Sequence, residues 1–188
     1  MNDRLLWVDC EMTGLDVKND CIIEVAAIVT DGQLKMLDKG IRHVVRTSVR
    51  DLDQMGPWCQ ETHSKSGLIE ECKQAQHSLA EVDTILSRYM DRYFPNGKAI
   101  LAGSSVHQDR IFIEKDLPKT FSRLHYRIVD ISTIKELANR WYPDWQKRPN
   151  RGPSLHRALD DIQDSIEDLR WIRRTLFLPT EQVKKEVP

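Results

Sequence analysis

Apolar residues in the first quarter of the chain fall in short runs of strand length. Residues 4–11 (RLLWVDCE), 21–31 (CIIEVAAIVTD) and, less regularly, 39–46 (KGIRHVVR) read as β-strands, separated by turn-forming residues at 14–20 and 31–33. Such short connections favour an antiparallel meander, because parallel neighbours need a crossover of a dozen or more residues. Further on the period lengthens. Leu79, Val82, Ile85, Leu86, Met90 and Tyr93 recur at close to helical spacing, and Ser78 stands where an N-cap belongs. Two more short strands follow, at 99–103 (AILAG) and 126–131 (YRIVDI), and each runs into a helical pattern. That order signals crossover connections and parallel pairing. Helices are expected near 107–116, near 132–141 with Ile134, Ala138 and Trp141 on one face, and near 157–176 with Leu159, Ile162, Ile166, Leu169 and Leu176 inward. The sum is an α/β fold: a mixed five-stranded sheet, three strands antiparallel and then two parallel, flanked by helices. Residues 143–153 (PDWQKRPNRGP), rich in proline, glycine and basic side chains, read as a mobile loop rather than a domain linker.

Composition narrows the class. With 188 residues, 40% hydrophobic and 30% charged, the chain suits one globular domain spanning 1–188 with a sizeable core. It holds no run of 18 or more apolar residues, and its first residues enter a strand pattern without the basic and apolar regions of a signal peptide, so a cytoplasmic protein is expected. Cys10, Cys21, Cys59 and Cys72 form no C-x-x-C pair and read as reduced packing residues. A formal net charge of -1 supplies no general field for gripping a long polyanion. A nucleic-acid substrate would have to be short or held locally.

The first strand carries two acids where apolar residues would be expected. Asp9 and Glu11 are two apart on a strand and so share a face. Desolvated neighbouring carboxylates repel unless a cation lies between them, and hard oxygen donors select Mg²⁺ or Mn²⁺. The plain alternative is that Glu11 has already left the strand and faces water. Asp109 falls near the start of the helix after AILAG, where the helix dipole alone could explain it. In HRALDDI, Asp160 projects almost opposite the apolar stripe while Asp161 flanks it, so Asp161 is the inward candidate, although it too could be a solvated acid. His156 precedes Asp161 by five, a spacing that diverges by about 140° within one helix. The two reach a common site only if His156 lies on the loop before the helix, which Gly152 and Pro153 make feasible.

These signals together resemble the His-bearing branch of the DEDD exonuclease superfamily: D-x-E on the first strand, Asp after the fourth, and H-x-x-x-x-D at the last helix. WVDCEMTGLD, AGSSVHQDRIFI, HYRIVDISTIKELANRWYP and HRALDDIQDSI are similar to its oligoribonuclease family, in order and over residues 5 to about 175. The resemblance implies a ribonuclease H-like fold and a 3′–5′ exoribonuclease that cuts very short oligoribonucleotides, especially dinucleotides, to 5′ mononucleotides. It implies two divalent ions, Mg²⁺ or Mn²⁺, held by Asp9, Glu11 and Asp161 with Asp109 assisting, and His156 as general base on a loop that closes over substrate.

The same resemblance assigns the substrate contacts. Leu15 and Trp58 match residues that wedge and stack against bases, and His63, Ser105, Arg127 and Ser132 match a closed end around a 5′ phosphate. Tyr126 matches a residue given to a partner's site, implying a homodimer. Read without the resemblance, Leu15 and Trp58 are ordinary core or rim residues, Ser132 is a helix N-cap, Arg127 a surface cation and Tyr126 a core tyrosine. Two departures from the family pattern stand out. Cys10 sits where Leu is common, which should affect packing and leave the ligands intact, and Leu155 before His156 replaces a smaller residue and bears on loop closure. A rival enzyme reading is an exonuclease of the same superfamily acting on longer strands or DNA. A silent nucleic-acid-binding module is another, though a binder has no need of repelling acids at its centre.

Overall fold

The alternation along residues 5–12 is resolved by two different cores. Leu6, Val8 and Cys10 point into one apolar cluster, and Trp7 points into another on the opposite side of the sheet. The computed structural model describes residues 3–145, 148–149 and 156–178. Its strands are β1 (Leu5–Met12), β2 (Ile22–Thr30), β3 (Ile41–Val44), β4 (Ala99–Gly103) and β5 (Leu124–Asp130), in the spatial order β3-β2-β1-β4-β5. β1, β2 and β3 pair antiparallel; β1 with β4 and β4 with β5 pair parallel. The expected mixed sheet is therefore present with both senses of pairing where the sequence put them.

The helices are α1 (Val49–Asp53), α2 (Pro57–Lys65), α3 (Leu68–Gln74), α4 (Leu79–Tyr93), α5 (Val106–Asp116), α6 (Pro118–Phe121), α7 (Ile131–Trp141) and α8 (Ala158–Leu176). Leu86 and Met90 of α4 and Phe112 and Ile113 of α5 fill one face of the sheet. Ile131 of α7 and Ile162, Ile166 and Ile172 of α8 fill the other. β2 is buried along its whole length because helices cover both its faces, which is why it reads as a continuous apolar run. Ser78 closes a capping box with Glu81 at the start of α4, as expected.

Several expectations are corrected. The helices α1, α2 and α3 occupy a stretch with no long amphipathic pattern; α1 is only five residues, and Pro57 at the first turn of α2 is the one clear start signal. Trp141 does not join Ala138 inside: at the last residue of α7 it is 66% exposed. Ser132 does not cap α7, since Asp130 is the cap and accepts the Ser132 N–H. Tyr126 is no core residue, because β5 is an edge strand whose middle is exposed. The start of the 143–153 loop is anchored: Trp145 donates to the Thr175 hydroxyl at 3.0 Å, and Arg148 pairs with Asp164 and Asp168. Gly152, Pro153 and Leu155, on which the closing-loop expectation rested, lie outside the described residues. Among the described residues no helix is long and apolar enough to cross a membrane.

Candidate active site

β1 and β4 are parallel neighbours whose chains leave in different directions, β1 towards the antiparallel meander and β4 into α5. In open α/β sheets the crevice beyond the carboxyl ends of two such strands is the usual place for a ligand. Asp9 and Glu11 stand there, on the face Trp7 shares with α8. The β1–β2 pairing slips just beyond Glu11, at the Glu11/Met12 step, where the strand pair opens. Asp109, in the first turn of α5, is 6% exposed and reaches the same end of the sheet. Its Oδ1 accepts the backbone N–H of Cys10 at 2.8 Å, so it is fastened to the main chain between the two strand acids. Cys10 itself packs its side chain into the α4–α5 core, facing away from Asp9 and Glu11. Asp161 approaches from the first turn of α8, while Asp160 beside it is exposed.

The electrostatics record the convergence. Asp9 is held well above the usual carboxylate range, first by burial and then by the charges of Asp109, Glu11, Asp161 and Glu24. Burial, followed by Asp161, Glu24 and Asp109, pushes Glu11 up to about 8. Asp109 rises to about 7 through burial, against the lowering effect of the Cys10 N–H. Acids from β1, α5 and α8 thus act on one another across one pocket. Glu11, Asp161 and His156 each offer a ligand atom, and these atoms lie within 4.8 Å of one another. A set of clustered, mutually repelling hard oxygens with an imidazole at the rim fits divalent cations of the Mg²⁺ or Mn²⁺ type.

His156 immediately precedes the N-cap of α8 and adopts φ 49°, a left-handed conformation unusual for a side-chain-bearing residue. Its ring meets the Trp58 ring edge-to-face with centroids 5.5 Å apart. Trp58 is 63% exposed and Leu15 74%, so both present apolar surface to solvent. His63 is placed differently from the serines it was grouped with. It is buried on α2, with Nε2 3.1 Å from the Met12 carbonyl oxygen and Nδ1 4.0 Å from Glu11 Oε2. Burial lowers its pKa and favours the neutral ring beside Glu11.

At the far end, Asp130 gathers the remaining polar candidates. Its Oδ1 accepts the backbone N–H groups of Ser105 and Ser132, both at 2.9 Å, and its Oδ2 lies 2.9 Å from His107 Nδ1. The Ser105 and Ser132 hydroxyls are then 3.0 Å apart. Ser105 adopts φ 54°, held there by Asp130. Arg127 and Tyr126 are exposed next to each other on β5, the guanidinium 5.4 Å from the ring centroid.

The RNase T exonuclease family model matches residues 6–169. The mitochondrial oligoribonuclease of Mus musculus is 42% identical over 98% of this chain and 78% of its own length. The oligoribonuclease of Mycobacterium tuberculosis is 45% identical over 95% of this chain and 84% of its own. The chain belongs to the oligoribonuclease family. Membership makes it a metal-dependent 3′–5′ exoribonuclease by class, a phosphodiester hydrolase. The fold is ribonuclease H-like, shared with solved exonuclease I structures. That from Methylocaldum szegediense superimposes with a TM-score of 0.72 at 20% identity, and a zinc-bound E. coli exonuclease I–ssDNA complex with 0.73 at 12%. The chain spans 41% of the length of each of those proteins, covering 92% and 94% of itself.

Four residues of this oligoribonuclease family member escaped the reading of its sequence. Glu24, Glu71, Arg42 and Arg157 form an ion cluster directly behind the acids. One signal was available: Glu24 is a lone charge inside the apolar run CIIEVAAIV. Asp130 was missed as the organiser of Ser105 and Ser132 for want of any local pattern.

Proposed function

We propose that this single domain, residues 1–188, removes 5′ mononucleotides from the 3′ ends of very short oligoribonucleotides, dinucleotides above all. The observation that carries this reading is the meeting of Asp9, Glu11, Asp109 and Asp161 with His156 at the carboxyl ends of β1 and β4. Asp9, Glu11 and Asp161 would hold two divalent ions, Mg²⁺ or Mn²⁺, with Asp109 in support. When bound, the ions make water a nucleophile at neutral pH and neutralise charge on the departing 3′ oxygen.

His156 takes the proton of the attacking water on a ring nitrogen, a role suited to a group with an ordinary pKa of about 6.5. Trp58 stacks on a base face and Leu15 wedges beside one, contacts that accept any base. The paired hydroxyls of Ser105 and Ser132, with Arg127, receive the 5′ phosphate and close the far end to longer strands. His63 acts from the Glu11 side: neutral and buried, it holds the Met12 carbonyl and lines the floor on which the scissile end rests.

A homodimer completes the site. Tyr126, 72% exposed on the edge strand, offers an aromatic ring to a second copy, and Trp141 and Leu137 of α7 are exposed apolar side chains as well. The compartment is cytoplasmic in this reading, consistent with four free cysteines, and fractionation of cells decides it against the organelle for which the mouse relative is named.

The decisive experiment is release from a 5′-labelled diribonucleotide with Mg²⁺, Mn²⁺ or chelator, followed by a length series up to twenty nucleotides. Ion-dependent cleavage fastest on the dimer is expected; equal rates at all lengths would remove the dinucleotide reading. Sedimentation velocity on the wild type and on Tyr126→Ala tests the dimer, which a monomeric wild type would exclude.

A further inference from the structure

Behind the acids lies a second charged group that takes no part in the chemistry above. Glu24 is fully buried on β2, directly opposite Glu11 in the strand register. Its Oε1 accepts Arg42 Nε at 2.5 Å, and its Oε2 lies 3.3 Å from Arg157 Nε, close enough for charge pairing. Glu71 on α3 receives the fork of Arg157, Nη1 to Oε1 at 2.8 Å and Nη2 to Oε2 at 2.9 Å, and also binds Arg42. Arg157 Nη1 donates in addition to the Ser66 carbonyl at 3.0 Å. One guanidinium is therefore fastened to β2, to α3 and to the turn before α3.

Arg157 is the N-cap of α8, yet its side chain makes no cap hydrogen bond. The Glu24 carboxylate stands at this end of the helix, where its negative charge suits the positive end of the helix dipole. What this arrangement fixes is the residue before it. His156 precedes Arg157 in a left-handed conformation that persists only where surrounding contacts hold it. Asp161 follows, its N–H bonded to the Arg157 carbonyl at 3.1 Å.

Apolar residues of similar size would seat the helix as well, since buried ion pairs contribute little to stability by themselves. A planar fork bound at both prongs does something they cannot, which is to set the direction of the backbone it belongs to.

We propose that Arg157, locked by Glu71 and Glu24, is a positioning residue that sets the His156 ring over the acids. This rests on the general-base reading of His156. The prediction is that loosening the lock misplaces the ring while the metal cradle survives, and misplacement of about 1 Å is enough to cost about a hundredfold in rate.

The test compares Arg157→Lys, which keeps the charge without the fork, and Glu71→Gln, a partly exposed site whose change spares folding, each alone and combined with His156→Ala. On a diribonucleotide with Mn²⁺, each single variant should lower kcat about ten- to a hundredfold, with KM and calorimetric Mn²⁺ affinity within about threefold of wild type. In the His156→Ala background each should cost less than about twofold, because a misaligned base that is already gone cannot be lost again. In ¹³C-histidine NMR the His156 ring resonance should shift in both variants. Effects that multiply fully with His156→Ala, Mn²⁺ affinity falling in step with kcat, or an unmoved His156 resonance would overturn the proposal. A near-normal rate in His156→Ala would instead sink the general-base reading, and the lock would then stand or fall on the resonance alone. Should Arg157→Lys fail to fold, Glu71→Gln decides by the same measurements.

Discussion

Stripped of divalent ions, the protein should become less stable as pH rises through neutrality, and the ions should reverse this. Glu11 titrates at about 8 in the folded chain against an ordinary 4.5, and Asp109 at about 7 against 3.8. A carboxylate whose folded pKa is raised keeps its proton when the unfolded chain has already released it. Stability is therefore undiminished below the ordinary value, falls as pH climbs towards the folded value, and stays reduced above it. Within that window each group costs about 1.4 kcal/mol per pH unit, so the two together remove about 2 kcal/mol between pH 6 and pH 7. For a chain of this size that lowers Tm by about 4–8 °C. The assay is thermal unfolding in EDTA across pH 5.5–8.5, repeated with Mn²⁺. Mn²⁺ should raise Tm more at pH 8 than at pH 6, since it replaces the protons that held the acids together. Asp161→Asn removes the strongest charge acting on Glu11 and should flatten the metal-free slope. A metal-free Tm that is level or rising from pH 6 to pH 8, or a Mn²⁺ shift equal at both, would refute the reasoning.

Four further outcomes are expected. His156→Ala should keep the fold and Mn²⁺ binding while losing about 10²–10⁴ in kcat, the usual worth of a general base, and a near-normal rate removes it from the mechanism. Asp9→Asn should lose both turnover and calorimetric Mn²⁺ affinity; retention of either contradicts its place as a ligand. Trp58→Ala should raise KM for a dinucleotide about 5- to 100-fold, the value of one base stack, and leave Tm unmoved because the ring is exposed. An unchanged KM takes Trp58 out of the substrate site. Ile162→Ala, at a fully buried position of α8, should cost about 2–5 kcal/mol in denaturant unfolding, and a loss under about 1 kcal/mol would mean that α8 is not seated on the sheet as described.

The sheet was legible because its signals are local. Runs such as CIIEVAAIV and AILAG, with the length of what lies between them, decide strand pairing sense almost without tertiary information. Asp9 and Glu11 were legible as a pair because a strand has a period of two. Asp109, Asp161 and His156 were bound to them by pattern matching across the whole chain, not by any local rule. What could not be read were contacts that join distant segments through single polar atoms. The link from Asp130 to Ser105 spans 25 residues and that from Arg157 to Glu71 spans 86, and neither leaves a periodic trace. Trp141 was misplaced because helical spacing gives a direction but not whether a partner covers that direction at the end of the helix. The helices α1–α3 were missed because short polar helices owe their existence to what they pack against, here Ile23 on β2 through Leu52, Leu68 and Cys72.

Asp9 and Asp161 are separated by most of the chain, yet the pocket needs both. During synthesis, then, the acids of β1 emerge well before α8, and the pocket closes only when that last helix has joined the sheet. Prematurely terminated products lacking α8 would carry the strand acids but no closing partner for them.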